Sequence, residues 1–148
     1  MSLSLVNAFW LLIPAILWNA IFFRGLTAPG FLADSLVPTP LLWVEGVLRV
    51  ATFVIPIFLP LVLPMSRVAI FVLVIGYLVY FATWVPHLWY AESALAQRPL
   101  VILGPAIAPL VVFLAIAALT QSWLYAVIAT SFIAAHLAHN LYSFQIIG

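Results

Sequence analysis

Cysteine and lysine are both missing from this 148-residue chain, and charge of either sign is scarce, at 5% of residues. Without cysteine there can be no disulfide, thiolate metal site or thiol nucleophile. A formal net charge of +1, carried by four arginines against three acids with no basic run, leaves nothing to hold a phosphate backbone. Nucleic acid is therefore excluded as a partner. There is no G-x-S-x-G elbow and no phosphate-cradling glycine loop. No motif names a cofactor.

What fills the chain instead is hydrocarbon: 68% of residues are hydrophobic and 15% aromatic. A helix needs about 20 apolar residues to cross the ~30 Å core of a bilayer. Five segments meet that length: 5–23, 41–63, 68–86, 100–119 and 123–144. Membrane-spanning strands would alternate over shorter stretches, and no such alternation is present. The expected fold is all-α: a polytopic integral membrane protein, a five-transmembrane-helix bundle, with residues 1–148 as a single transmembrane domain. The first segment lacks a basic n-region and runs into Arg24 rather than a small-residue cleavage site, so it reads as a retained span.

The connections are unequal. Residues 24–40 form a long proline-containing loop and residues 87–99 a polar one, whereas 64–67 and 120–122 are tight turns that make their flanking helices antiparallel neighbours. The two longer connections and the C-terminus then share one side. Arg24 and Arg98 lie there and Arg67 lies opposite, so positive-inside counting puts the loop-rich side in the cytoplasm of a multi-pass cell-membrane protein.

Charged groups inside hydrocarbon cost roughly 2.5–3.5 kcal/mol each at the bilayer centre, so they pair or face a cavity. Glu45 and Arg49 stand one helical turn apart in the second span. Glu45, Arg49, Thr52 and Pro56 make one stripe at helical spacing; His136, His139, Asn140 and Ser143 make a second; Tyr77, Tyr80, Trp84 and His87 make a third. Antiparallel threading puts all three in the leaflet nearer the loops. A polar cavity open to that side, floored by apolar packing, is the expectation, with Glu45, Arg49, Trp84, His87, His136, His139 and Asn140 as its ligand-binding residues. The fourth span carries no charge and is expected to face lipid or a partner.

Each stripe also has a plainer reading. Glu45 and Arg49 neutralise one another, or Arg49 snorkels to the headgroups. The histidines glue helices together by hydrogen bonds, and Tyr77, Tyr80 and Trp84 are core or interfacial belt. Among functional uses, His136, His139, His87 and Glu45 are nitrogen and oxygen donors suited to a metal or haem, but two histidines three residues apart are a weak signal. No metal is assigned. The leading expectation is binding, with transport or sensing as its consequence, of a small amphipathic or lipid-like ligand. One alternative is a membrane enzyme using Glu45 with His136 or His139 as catalytic acid and base on a lipid-borne substrate. The other is an accessory subunit of a larger membrane complex, and a homo-oligomer is compatible with so slim a bundle.

In architecture the chain resembles the tryptophan-rich sensory (translocator) proteins, but the Trp/Pro-rich segment they carry after the first span is not matched by Gly25–Pro40. The run Pro56-Ile57-Phe58-Leu59-Pro60-Leu61 resembles membrane eicosanoid and glutathione-metabolism proteins, which have four spans and a different Arg/Asn/Glu pattern. Five-span sterol-isomerase-like bundles share Glu, His, Asn and Trp near one leaflet without a motif that matches residue by residue. No family is assigned on these residues.

Overall fold

Proline decides where the helices begin, bend and stop. The computed structural model describes residues 6–22 and 37–143, and every regular element among them is helical. Five helices follow in order: α1 (Ala8–Ile21), α2 (Thr39–Phe58), α3 (Arg67–Trp89), α4 (Pro99–Thr120) and α5 (Trp123–Ser143). The last four are long and apolar enough to cross a membrane, and α1 is a shorter apolar helix. This is the five-helix membrane bundle expected from the sequence. Residues 24 and 34, in the first loop, lie outside the described residues, as do both ends of the first expected span and residue 144.

Two spans differ from expectation in their bounds. The second span, expected over 41–63, starts at Thr39 and tightens to a 3-10 turn over Ile55–Phe58, after which Leu59 is extended. Pro56 and Pro60 lack the N–H groups that would continue the helix. The third span, expected to end at Pro86, runs on to Trp89 with Pro86 inside it. The tight turns are built as the spacing implies. Ser66 Oγ accepts from Ala69 N–H at 3.3 Å to cap α3, and Ser122 Oγ accepts from Tyr125 N–H at 3.2 Å to cap α5. Gln121, at φ 52°, closes the end of α4 as Ser122 N–H reaches back to the Ala117 carbonyl at 3.0 Å.

The main packed pairs are α3 with α4, α2 with α5, and α4 with α5. The fourth span, expected from its lack of charge to face lipid or a partner, is thus the central helix, burying Val112, Phe113, Ala115, Ile116, Ala117 and Leu119. Small residues on both helices let it sit there: a Cβ on Gly76 of α3 would stand 3.1 Å from Val111 and 3.2 Å from Val112, and one on Gly104 of α4 3.2 Å from Thr83.

Prolines inside spans free carbonyls four residues earlier, and in hydrocarbon each needs another donor. Pro56 frees the Thr52 carbonyl, which accepts from the fully buried Tyr125 hydroxyl of α5 at 3.2 Å. Pro105 frees the Val101 carbonyl, which accepts from His87 Nε2 of α3 at 3.0 Å. Neighbouring helices are tied together at these two points.

Helix α1 leans in two directions. Its start docks on the end of α2, with Ala8 N–H donating to the Leu59 carbonyl at 2.9 Å and Leu61 N–H to the Val6 carbonyl at 3.4 Å. Its other end rests on α3: Tyr80 donates to Asn19 Oδ1 at 2.8 Å, Tyr77 donates to the Leu11 carbonyl, and Trp18 stacks on Phe81 with centroids 4.5 Å apart. At the loop-rich end, then, α1 goes with α3 while α2 goes with α5.

Candidate functional site

Helix α2 buries few of its side chains, and one of them is a carboxylate. Glu45 retains 2% of its exposure, and each of its oxygens is occupied. Oε1 accepts from His136 Nδ1 at 2.8 Å and from Arg49 Nη2; Oε2 accepts from His139 Nδ1. Two helices make this possible. Arg49 follows Glu45 at i+4 on α2, and His136 and His139, at i and i+3, present one face of the antiparallel α5. A carboxylate in hydrocarbon is tolerable only when its lone pairs are satisfied and its charge matched, and here one cation and two imidazole N–H groups do both.

The cluster is graded in exposure. The side chains of His139 and His136 are 16% and 29% exposed, and that of Arg49 is 51% exposed, although Arg49 lies roughly 15 Å along α2 at 1.5 Å per residue. The anion is therefore sealed in and the cation is turned outward. Beside it, Gly46 leaves room, since an added Cβ would meet nothing within 4 Å.

The imidazole of His136 is held by Glu45 and by a stacked ring, and its backbone carbonyl by a third side chain. Phe132, one turn before it, stacks on its ring at 5.5 Å and 17°. Asn140, one turn after it, donates from Nδ2 to the His136 carbonyl at 2.6 Å. Phe132 continues to Phe113 at 6.2 Å, and Phe113 to Phe53 at 6.0 Å, so an aromatic tier from three helices lies below the polar cluster.

Of the seven expected ligand-binding residues, five come together here: Glu45, Arg49, His136, His139 and Asn140. Trp84 and His87 instead contact groups of α3 and α4. Trp84 meets Tyr80 and His87 edge-on, and His87 serves the carbonyl that Pro105 leaves open on α4. They share a leaflet with Glu45, but α3 packs on α4 and α2 on α5. Phe132, Phe53 and Gly46 were not singled out from the sequence; the i, i+4 spacing of Phe132 and His136 was the available signal for the first.

The donors do not form an assembled metal site: among the described residues no group of three His, Asp or Glu side chains is placed to hold an ion. His136 and His139 both turn Nδ1 to the carboxylate, so their Nε2 atoms, on the far sides of rings 6.5 Å apart, share no common point. The arrangement can offer a guanidinium and an oriented imidazole to a third group. No family model, curated protein or solved structure matches this chain.

Proposed function

We propose that this integral membrane protein binds the polar end of a small amphipathic or lipid-like molecule at the α2–α5 cluster. Arg49 is the anchoring group, and His136, His139 and Asn140 complete the polar surface. The observation behind this reading is the asymmetry of the ion pair. Glu45 is sealed and saturated, whereas the Arg49 side chain stays half exposed deep in an apolar span. A pair that served only to neutralise itself would be best buried as a unit. Here the carboxylate acts as an internal counterion that holds the cation in place for an outside acceptor.

Aromatic rings below the cluster suit an apolar body, and the divergence of α1 from α2 towards the loop-rich end suits entry from that side. Passage or sensing would follow from binding there. The Arg98 and Arg67 positions, with Arg24, favour a cell-membrane location with the loop-rich side cytoplasmic. A bilayer-embedded photoreactive fatty-chain probe tests the reading. Crosslinks should concentrate on α2 and α5 around Gly46–Phe53 and Phe132–His136, and Arg49→Gln should remove them while the protein still elutes as a folded species. Crosslinks spread evenly over the outer faces of α3 and α5, unchanged in Arg49→Gln, would refute it.

The enzyme reading keeps one specific support, the two carboxylate–imidazole pairs. A carboxylate at Nδ1–H fixes the tautomer and leaves Nε2 as the acceptor, the arrangement used when histidine takes a proton. It would show as turnover abolished by His136→Gln without loss of binding.

A further inference from the structure

We infer that the molecule bound at this cluster presents a hydroxyl, a single oxygen that accepts from Arg49 and donates to His136 Nε2. This rests on the proposed binding role of Arg49 and adds the chemistry of the ligand's head. Arg49 Nη2 and His136 Nδ1 bond the same carboxylate oxygen, Oε1 of Glu45. Guanidinium and imidazole are thereby fixed side by side, on one small patch. With Arg49 already matching the charge of Glu45, neutral imidazoles complete a cluster of zero net charge. An imidazole that donates at Nδ1 then carries its lone pair at Nε2.

For His136 that lone pair has no good protein donor at hand. The Asn140 amide is 3.5 Å from Nε2, long for an N–H···N bond, and gives its short bond, 2.6 Å, to the His136 carbonyl. The side chain as a whole is 29% exposed. A patch with a donor that cannot accept and an acceptor that cannot donate matches a group that does both. A carboxylate or phosphodiester has no proton for Nε2, an ether or ester has none either, and an ammonium would meet Arg49 with like charge. A hydroxyl has one O–H and two lone pairs. Phe132 and Phe113 are themselves buried, so the tier backs the imidazole and leaves the apolar body to the membrane-facing surface beside it. The ligand class is a hydroxylated amphiphile, for which an alkylphenol is a representative.

Three matched probes decide this on the unaltered protein in phosphatidylcholine nanodiscs with ¹⁵N-labelled histidine: 4-decylphenol, its methyl ether and decanoate. The phenol should saturate one site and move a single histidine Nε2 resonance. That resonance should be missing in His136→Phe, which keeps the stack on Phe132, and present in His87→Phe. The methyl ether should bind at least about tenfold more weakly, the loss expected for about one hydrogen bond. Equal binding of phenol and ether would overturn the hydroxyl assignment and leave Arg49 as an acceptor-binding group. Tighter binding of decanoate, dependent on Arg49 and indifferent to His136, would overturn it in favour of an anion. If no probe binds and Arg49→Gln also leaves the photoreactive crosslinks unchanged, the binding reading itself fails.

Discussion

Where α3 crosses α4, the contact is made by absence: Gly76 and Gly104 have no side chains, and Val111, Val112 and Thr83 move into the space. Where α2 lies on α5, the contact is made by a buried carboxylate, two imidazole donors from α5 and the carboxylate's own cation on α2. In a bilayer the first kind of seam gains from close van der Waals contact. The second is costly to desolvate and gains little net stability over an apolar seam of equal shape. Two seams of the same bundle thus answer different demands: α3–α4 is suited to holding, and α2–α5 to keeping polar groups poised.

The contrast can be broken hardest at Glu45. Glu45→Leu strands Arg49 without its counterion, and stability measured by unfolding in detergent should fall by about 3–5 kcal/mol. Adding Arg49→Leu should recover a large part of that loss, since an apolar pair replaces the ionic one. If Glu45→Leu alone unfolds no more easily than the parent, the carboxylate is not the keystone of its seam. Gly76→Leu tests the other seam. Its side chain would run into Val111 and the Val112 backbone, and overpacking of this kind costs about 1–3 kcal/mol. Retained α3–α4 crosslinks at unchanged stability would show that the close approach is not needed.

A smaller effect sharpens the role given to His87. His87→Phe should cost about 1–2 kcal/mol by leaving the Val101 carbonyl unmet, and much less in a Pro105→Ala background, where the α4 backbone supplies its own N–H. Equal costs in both backgrounds would detach His87 from that carbonyl. Least of all is Gly46→Ala. A methyl there meets nothing, so the seam should be undisturbed, with stability raised by up to about 1 kcal/mol from helix propensity.

These particulars show how far the sequence could be read. Span number and the two tight turns follow from length and from Ser66 and Ser122, because local chemistry sets them. The Glu45, Arg49, His136, His139 and Asn140 cluster follows from helical spacing and antiparallel direction. Trp84 and His87 were expected in the same cavity because depth is readable and rotation about a helix axis is not; which face a helix turns to which neighbour is set by the whole packing. The lack of charge in α4 suggested a face to lipid or a partner, yet a chargeless helix rich in Ala is equally what a crowded centre requires. One legible signal was passed over. A proline at i+4 marks a carbonyl in need of a donor, and Pro56 and Pro105 each point to one, met by Tyr125 and His87.

The central claim is that Arg49 is held by Glu45 for something outside the chain. Native mass spectrometry of the protein released from mild detergent, with Arg49→Gln beside it, addresses that most directly. The parent should carry a bound mass in the range of a hydroxylated amphiphile, and Arg49→Gln should appear as bare polypeptide. The same adduct on both proteins, or on neither, would contradict the claim and leave the cluster as a polar tie between two helices.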